Sequence, residues 1–351
     1  MMASRDVMRS TTRGFRRYYN PEVGGELRMD TNTNVLGSNP AAEKYIREQR
    51  EDINGYPNTY SDGLRDALAS LYGLERENFV AGSGSDEMLD VSFKTFTEWG
   101  DGCVMPVPSY SLYDYFIKMS GGKPLASELT EDFQLDVDDM VRSGAKVAIV
   151  PSPNNPTGNS FRQKDLEDLL RRFGGIVVID EAYGEYSDSS MISRVGEFDN
   201  LVILRTFSKA YAMAGLRVGY AAASLDLADM MNSVKIPYSL NKIGEGAAIA
   251  AVKDQEFIER SKKMVAEERP KLAAELRKLN FGPYPSDANF ILAASPIDHS
   301  VLVSELKKKG VMIRDFGDKR RTENCVRMTV GTAELNKIMT DRISEVLEEF
   351  G

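Results

Sequence analysis

The feature that most constrains the fold is a series of short, nearly continuous apolar runs separated by amphipathic segments. The runs are KVAIV at 146–150, GIVVID at 175–180 and NLVIL at 200–204. Runs of this length predict strands buried on both faces of a mainly parallel sheet. Residues 163–173, between the first two runs, place leucines on one helical stripe. The order strand, helix, strand therefore predicts an α/β sheet with right-handed crossovers.

Similar patterns extend this sheet toward the N-terminus. Residues 61–73 (SDGLRDALASLYG) show helical periodicity and end on Gly73, a residue suited to a helix C-terminus. NFVAG at 78–82 predicts a short strand, and residues 85–96 predict an amphipathic helix. We therefore expect a large α/β domain whose strands alternate with helices.

The rest of the chain predicts two further units. Residues 241–280 are helical in pattern, with an interruption expected at Pro270. Two more helices and short strands follow, which predicts a small α+β domain. The predicted organisation is an N-terminal arm at 1–35, a large α/β domain at 36–245 and a small C-terminal domain at 246–351.

Composition excludes several kinds of site and partner. The 351 residues carry a formal net charge of −9, so nucleic acid is not an expected partner. Cys103 and Cys325 form no C-x-x-C pair, which argues against a disulfide framework and indicates the cytoplasm. A single histidine, His299, excludes multi-histidine metal sites, and its turn-like setting predicts exposure. With so few histidines and cysteines we expect no metal. No run of about 18 apolar residues occurs, so we expect no membrane span.

Four polar clusters lie where the predicted strands end. They are GSGSDE at 82–87, VPSPNNPTGN at 150–159, DEAYGEY at 180–186 and RTFSK at 205–209. Ligands of open α/β sheets bind beyond the carboxyl ends of the strands. One such cluster fits chance, but four that converge on one edge predict a site.

Two of these clusters suit an anion. The glycines of GSGSDE serve a plain strand–helix turn, yet the backbone N–H groups of Ser85 and Asp86 would also face a phosphate at a helix N-terminus. Arg217 is either an ion-pair partner or a bidentate phosphate clamp. GSGSDE matches neither the P-loop motif nor the dinucleotide fingerprint.

The other clusters suit an aromatic cation with an aldehyde. Asp180 ends an apolar strand, where it either caps the next turn or pairs with a buried cation such as a pyridinium nitrogen. Its neighbour Glu181 is expected to point into the structure. Asn155, before Pro156 in a turn that favours a cis bond, is placed to meet a ligand oxygen. Lys209 lies just beyond a buried strand, and removal from water favours the neutral amine that attacks carbonyls.

These groups together describe one ligand. A phosphate meets a helix N-terminus and Arg217, a ring cation meets Asp180, and an aldehyde meets Lys209. The ligand that carries all three is pyridoxal 5′-phosphate.

The sequence also resembles the fold-type I, pyridoxal-phosphate-dependent aminotransferases, and most closely the histidinol-phosphate aminotransferase family. The resemblance runs from about Tyr19 to the C-terminus. The segments that carry it are GYPNTYSDGLRDAL, AGSGSDEML, VPSYSLY, PSPNNPTGN, VVIDEAYGEY, RTFSKAYAMAGLRVGY and CVRMTVGT.

The resemblance implies roles for matching residues. Lys209 would bond to the cofactor aldehyde and move the proton, Asp180 would pair with the ring nitrogen, and Tyr110 would stack on the ring. Tyr183 and Asn155 would hold the ring oxygen. The cofactor phosphate would contact Ser85, Asp86, Thr206, Ser208, Arg217 and, from the neighbouring subunit of a homodimer, Tyr56.

The implied substrate groups are less uniform. Arg327 would face a substrate carboxylate or phosphate, and Arg314 and Tyr19 resemble residues placed around the substrate phosphate. Arg314 has an alternative as a partner of Asp315 or Asp318, and Tyr19 as a plain arm residue. Asn32 and Gly37 are further implied substrate-binding residues, and they belong to NTNVLG, where the family has an acid at Thr33 and a proline at Val35. Gly55 likewise replaces a usual arginine. These departures concern substrate identity rather than cofactor.

The preferred hypothesis is a ping-pong transamination between histidinol phosphate and 2-oxoglutarate. An aromatic amino acid aminotransferase and a threonine-phosphate decarboxylase are alternatives on the same scaffold. A non-catalytic cofactor sensor and a protein for another phosphate ligand remain as different classes. The chain has neither spare length nor a basic helix-turn-helix segment for the sensor class.

Overall fold

A seven-stranded sheet built from the predicted apolar runs forms the centre of the computed structural model, which describes residues 8–16, 27–49 and 53–350. Its strands, in chain order, are β2 (Phe79–Gly82), β3 (Gly102–Val107), β4 (Lys123–Glu128), β5 (Val147–Pro151), β6 (Ile176–Asp180), β7 (Leu201–Thr206) and β8 (Gly219–Ala223). They are arranged β2-β8-β7-β6-β5-β3-β4. Within this sheet, β8 runs in the opposite direction to the other six strands. The prediction of a mainly parallel sheet is confirmed.

Helices cover both faces of this sheet. They are α1 (Pro40–Glu48), α2 (Asp62–Tyr72), α3 (Ser85–Phe96), α4 (Leu112–Ser120), α5 (Val137–Arg142), α6 (Gln163–Arg172), α7 (Leu225–Val234) and α8 (Lys242–Lys253). Helix α2 ends at Gly73 with φ 67°, as the sequence predicts.

Alternate side chains of each central strand enter opposite cores. In β5, Val147 and Ile149 join the cluster under α3, α4 and α7, while Ala148 and Val150 join the cluster on the other face. Each fully buried aliphatic side chain of this size contributes about 1.5–3 kcal/mol. This double-sided burial explains why the strands are apolar without interruption.

A second, smaller sheet forms the C-terminal part of the fold. Its strands are ordered β12 (Arg314–Asp315), β13 (Cys325–Thr329), β10 (Phe290–Ala294) and β9 (Gly282–Pro283). Three helices pack with it, namely α9 (Gln255–Lys278), α10 (His299–Lys308) and α11 (Ala333–Phe350). The predicted α+β unit is therefore present.

The packing places both domain boundaries differently from the predicted ones. Strand β1 (Leu27–Arg28) pairs in parallel with β11 (Val311–Met312), and Met29 is buried in the small core. The last residues of the predicted arm therefore belong to the small unit. Residues 247–258 contribute to the core of the large domain instead, so the boundary lies within α9 rather than at 245–246.

The predicted helix break at Pro270 is wrong. Helix α9 runs through Pro270, and the break falls at Asp254, which separates α8 from α9. Val265 and Leu272, on either side of the proline, are both buried in the packed face of α9. This packing offsets the hydrogen bond that the proline lacks. Among the helices of the described residues, none has the combined length and apolar character needed to cross a membrane.

Candidate active site

The four predicted polar clusters meet in one cavity of about 410 Å³ beyond the carboxyl ends of β5, β6 and β7. A volume of this size suits a cofactor together with a small substrate. The sequence-predicted residues that line it are Ser85, Asp86, Tyr110, Asn155, Asp180, Tyr183, Thr206, Ser208, Lys209, Arg217, Arg314 and Arg327. These residues reach one site because parallel strands deliver their carboxyl ends to the same edge of the sheet.

The amine of Lys209 enters the cavity from the loop after β7. Its Nζ donates a hydrogen bond to the Thr31 carbonyl oxygen at 3.0 Å and lies 5.6 Å from the centre of the Tyr183 ring. The side chain is half-buried and forms no ion pair within the described part of the chain. An amine held by one backbone carbonyl is positioned yet free to react.

The carboxylate of Asp180 lies at the buried end of the cavity. One oxygen accepts from the Tyr113 hydroxyl at 2.7 Å and the other accepts from the Ala182 backbone N–H at 3.0 Å. Burial raises the pKa of Asp180 to about 6, although these two hydrogen bonds act in the opposite direction. In the described residues no basic side chain forms an ion pair with Asp180. The site therefore suits the cationic nitrogen of a ligand ring, and the buried carboxylate fits the predicted cofactor.

Two further pairs fix polar groups around the space above Asp180. The Tyr183 hydroxyl accepts from Asn32 Nδ2 at 3.0 Å, and Asn155 Oδ1 accepts from Arg327 Nη1 at 2.6 Å. The Asn155–Pro156 bond is cis, as expected for this turn. Both pairs join the large domain to residues of the small unit or its neighbouring segment. Ligand contacts at this point therefore involve both parts of the fold.

A candidate anion site lies at the start of α3. Gly84 precedes the helix with φ 84°, and the N-terminal N–H groups of Ser85 and Asp86 border the cavity. Arg217 Nη2 lies 3.2 Å from Asp86 Oδ2, and Arg217 Nη1 donates to Ser208 Oγ at 3.4 Å. Ser208 in turn is bonded to Thr206 through its N–H at 3.2 Å. Hydroxyls, helix N–H groups and a guanidinium together fit a phosphate.

A close backbone approach shapes this anion site. An added Cβ at Gly219 of β8 would lie 2.3 Å from the Ser85 backbone nitrogen. No side chain fits there, so β8 needs glycine at this position to reach the start of α3. The segment between Lys209 and β8 therefore positions both Arg217 and the helix terminus.

A flat aromatic wall completes the cofactor side. Tyr110 lines the cavity and meets Tyr113 edge-on, with ring centres 5.4 Å apart. Tyr113 is fully buried, and its hydroxyl is the group bonded to Asp180. Tyr113 is not among the residues predicted from the sequence. Its position in VPSYSLY, three residues after Tyr110 and one helical turn away, is the signal that was available.

A buried ion network supports the ends of β6 and β7. Arg205 contacts Glu181 at 2.7 Å and Glu185 at 2.8 Å, and all three side chains are at least nine-tenths buried. Ser190 Oγ bridges Arg205 and Glu181. Burial raises the pKa of Glu185, although the nearby Arg205 guanidinium acts in the opposite direction. Glu181 thus points into the structure, as expected, and the network fixes the strand that ends in Asp180.

The part of the cavity that is lined by the small sheet and its β12–β13 loop is basic, and we call it the basic end. Arg314, Lys319 and Arg327 line it together with Phe316. Arg314 and Arg327 stand directly opposite each other on β12 and β13, and like charges in this arrangement repel. Arg327 is buried, and its Nη2 donates to the Asp30 carbonyl oxygen at 2.7 Å. Lys319 was not identified from the sequence, because it lies in a polar loop that predicts only a turn.

Some predicted residues lie elsewhere. Asn32 is fully buried behind Tyr183, and Gly37 is exposed with φ 87°; neither lines the cavity. The turn at 32–37 directs Asn32 toward Tyr183 and Thr329, and the substrate contacts of Asn32 and Gly37 stay predictions. Tyr56 is 82% exposed and also outside the cavity. Tyr19 lies outside the described residues.

The environment of His299 also differs from the prediction. Its side chain is only 12% exposed, with Nδ1 2.8 Å from Asp315 Oδ1 and Nε2 3.4 Å from Asp318 Oδ1. These aspartates were the alternative partners for Arg314. Among the described ion pairs they contact His299 instead. The sole histidine is therefore a packed residue beside the basic end of the cavity.

Known proteins are similar to this chain over nearly its whole length. It is 32% identical over 349 residues to the histidinol-phosphate aminotransferase of Thermoanaerobacter sp. (strain X514), covering 97% of this chain and 99% of that protein. The enzyme of the same name from Pyrococcus furiosus is 34% identical over 339 residues, covering 95% and 96%. The structure of the histidinol-phosphate aminotransferase from Sinorhizobium meliloti in complex with pyridoxal-5′-phosphate has a TM-score of 0.86 at 24% identity, covering 92% and 91%. Residues 25–343 match the family described as aminotransferase class I and II. The chain therefore belongs to the class I and II aminotransferases.

Proposed function

We propose that this aminotransferase uses pyridoxal phosphate to transfer the amino group of histidinol phosphate to a 2-oxo acid, with 2-oxoglutarate as the expected acceptor. The observation that carries the substrate assignment is the basic end of the cavity, where three cations come from the small sheet and its loop, whereas the predicted cofactor phosphate groups come from the large domain. A second anion site of this kind suits a substrate that carries its own phosphate. The names of the full-length relatives point to the same substrate.

The residues of the cavity fit the cofactor group by group. The helix α3 N-terminus, Ser208 and Arg217 would hold the phosphate, and Asp180 would hold the ring nitrogen in its protonated form. Tyr183 and Asn155 flank the expected position of the ring oxygen. When bound, the cofactor supplies an aldehyde that forms a covalent bond with an amine and a ring that withdraws electrons from it.

Lys209 is the residue that moves the proton. Its Nζ is the amine nearest the Thr31 carbonyl and the Tyr183 ring, within the same cavity as Asp180. As a neutral amine it would take the proton from the substrate carbon that bears the amino group and later return a proton to the cofactor side. Tyr110 would keep the ring in plane by stacking, and Asp180 would stabilise positive charge at the ring nitrogen.

Arg327 and Arg314 would orient the substrate. Arg327 is fixed by Asn155 and by the Asp30 carbonyl oxygen, so its guanidinium is held in one position. It would receive the carboxylate of the 2-oxo acid in one half-reaction and face the substrate phosphate in the other. Arg314, across from it on β12, would contact the phosphate. Tyr19 belongs to the same proposal through the family resemblance.

A homodimer and a cytoplasmic location are part of the proposal. Tyr56 is 82% exposed and its ring rests 5.0 Å from that of Tyr238, which is also exposed. Aromatic side chains exposed together suit a protein contact. If Tyr56 reaches the cofactor phosphate of a neighbouring subunit, Tyr56→Phe weakens cofactor binding although Tyr56 lies outside the cavity of its own chain. Cys103 and Cys325 are both free and buried, which suits a reducing compartment.

The test is a spectroscopic substrate panel. The wild-type protein with added cofactor is expected to show the visible band of a lysine-bound cofactor, and Lys209→Ala is expected to lose it. Lys263→Ala, on an exposed face of α9, is the matched control and should keep the band. Absence of the band in the wild type refutes the cofactor assignment.

The same band identifies the amino donor. Histidinol phosphate is expected to bleach it at the lowest concentration in a panel with phenylalanine, tyrosine and threonine phosphate. Bleaching by the aromatic amino acids alone would assign the chain to the aromatic aminotransferases. Release of carbon dioxide from threonine phosphate would assign it to the decarboxylases.

A further inference from the structure

The loop between β12 and β13 crosses the basic end of the cavity. It runs from Phe316 to Asn324 and contributes Phe316 and Lys319 to the cavity wall. Hydrogen bonds within the loop, such as Thr322 Oγ1 to the Phe316 carbonyl oxygen at 2.9 Å, give it a defined turn. We refer to residues 316–324 as the basic loop.

The basic loop is fastened to the large domain. Arg321 donates to the carbonyl oxygens of Leu129 and Thr130, the second at 2.9 Å, and Arg320 forms an ion pair with Glu128 at 2.6 Å. These three residues lie at and just beyond the end of β4. The loop therefore spans from the small sheet to the large domain, and Lys319 lies between the two attachments.

Two carboxylates near the loop lie beside a histidine and form no ion pair with Lys319. Asp315 and Asp318 both contact His299 on α10, at 2.8 Å and 3.4 Å. An added Cβ at Gly317 would lie 2.1 Å from the His299 ring, so the loop packs directly on this imidazole. Within the described part of the chain, neither Lys319 nor Arg314 forms an ion pair. Their positive charges therefore remain available to the cavity.

Lys319 lies close to other cations of the cavity. Its Nζ lies 4.8 Å from the centre of the Phe316 ring, and the Arg327 guanidinium lies 5.3 Å from the same ring. Lys319 is exposed toward the open cavity, yet the cavity wall partly desolvates it. This desolvation, followed by the positive charges of Arg314 and Arg327, lowers the pKa of Lys319. A dianion bound among these groups relieves the repulsion.

We propose that Lys319 determines specificity for a phosphate-bearing amine. It supplies a positive charge at the substrate phosphate in addition to that of Arg314. This inference rests on the proposed function and adds a residue to it. A phosphate monoester carries about −1.5 to −2 charges near pH 7, whereas a carboxylate carries one. Because Arg327 is already bonded to Asn155 and to the Asp30 carbonyl oxygen, Arg314 and Lys319 supply most of the positive charge that the phosphate needs, and loss of either one leaves part of the phosphate charge without a partner.

The experiment compares two donors that differ only in the phosphate. The rate of cofactor bleaching in single turnovers is measured for histidinol phosphate and for histidinol, with the wild type, Lys319→Met and Lys319→Arg. Lys307→Met is the matched control, because it removes an exposed positive charge of α10 that lies outside the cavity and does not attach the basic loop. The visible band of each loaded variant shows that the cofactor site is intact.

Lys319→Met is expected to raise the half-saturating concentration of histidinol phosphate by roughly 10- to 100-fold, the range of one charge-assisted hydrogen bond. The half-saturating concentration of histidinol should change by less than about threefold. Lys319→Arg should keep most of the preference for the phosphate-bearing donor. Lys307→Met should behave as the wild type with both donors.

Two failures are distinguishable. If the wild type reacts with histidinol phosphate but Lys319→Met saturates at the same concentration, or if both donors weaken equally, the role of Lys319 is refuted and the proposed function stands. If the wild type does not react with histidinol phosphate, both the proposed function and this inference are refuted.

Discussion

Replacement of Asp180 by asparagine is expected to stabilise the cofactor-free protein while weakening cofactor binding. The carboxylate is buried without an ion-pair partner in the described residues, and burial raises its pKa from an ordinary value of 3.8 to about 6. One pKa unit corresponds to about 1.4 kcal/mol. The ionised form of Asp180 therefore costs the folded apoprotein about 3 kcal/mol relative to the unfolded chain.

The sign of this cost sets its pH dependence. The folded state binds the proton of Asp180 more tightly than the unfolded state, so the cost is absent below about pH 3.8 and complete above about pH 6. The free energy of unfolding of the apoprotein falls as the pH rises through this window. At pH 5 the cost from Asp180 is about half its full value.

Urea unfolding of the cofactor-free protein measures the effect. The free energy of unfolding of Asp180→Asn is expected to exceed that of the wild type by up to about 3 kcal/mol at pH 8 and by about half as much at pH 5. Asparagine still accepts from the Ala182 N–H, and the Tyr113 hydroxyl can rotate to accept from its amide. The control Asp226→Asn, at the exposed start of α7, should change the free energy of unfolding by less than about 0.5 kcal/mol.

Binding of the cofactor is expected to reverse the order of stability of the wild type and Asp180→Asn. A ring cation beside Asp180 offsets the cost of the buried carboxylate, so added pyridoxal phosphate should stabilise the wild type far more than Asp180→Asn. An apoprotein of Asp180→Asn that is no more stable than the wild type at pH 8 would refute the argument. A stability difference that is independent of pH would refute it as well.

Two further substitutions test the support of the site. Arg205→Met leaves Glu181 and Glu185 buried without their cation, and we expect the free energy of unfolding in urea at pH 7 to fall by about 3–5 kcal/mol; a loss below about 1 kcal/mol would contradict the role of this network. Gly219→Ala places a Cβ 2.3 Å from the Ser85 nitrogen, a clash of about 1–3 kcal/mol that should lower cofactor affinity about tenfold or more. An unchanged dissociation constant in a fluorescence titration would show that the start of α3 does not need this close approach.

Local sequence predicted the strand–helix framework because burial on both faces leaves a simple pattern. Residues 147–151, 176–180 and 201–206 form strands where the apolar runs predicted them. The polar clusters that follow these strands meet in one cavity for the same reason, since parallel strands share an edge. Sequence was less informative about α9, where packing on both sides of Pro270 outweighs the local effect of the proline.

Contacts between distant segments were decided by the tertiary structure. Tyr113 reaches Asp180 from 67 positions away. The turn at 32–37 directs Asn32 to Tyr183 rather than to the cavity. Neither contact has a periodic signal, because each depends on how two separately formed elements pack. The family resemblance supplied the roles of Lys209 and Asp180, but it could not supply these partners.

Sequence by itself determined the α/β framework, the strand-end clusters and the chemical groups suited to pyridoxal phosphate. Only the tertiary structure decided that Asp180 has Tyr113 rather than a cation beside it, and that Lys319 joins Arg314 and Arg327 at the basic end of the cavity. The physical reason is that periodicity and turn chemistry act over a few residues. The charge balance of a cavity depends on side chains that folding brings together from the whole chain.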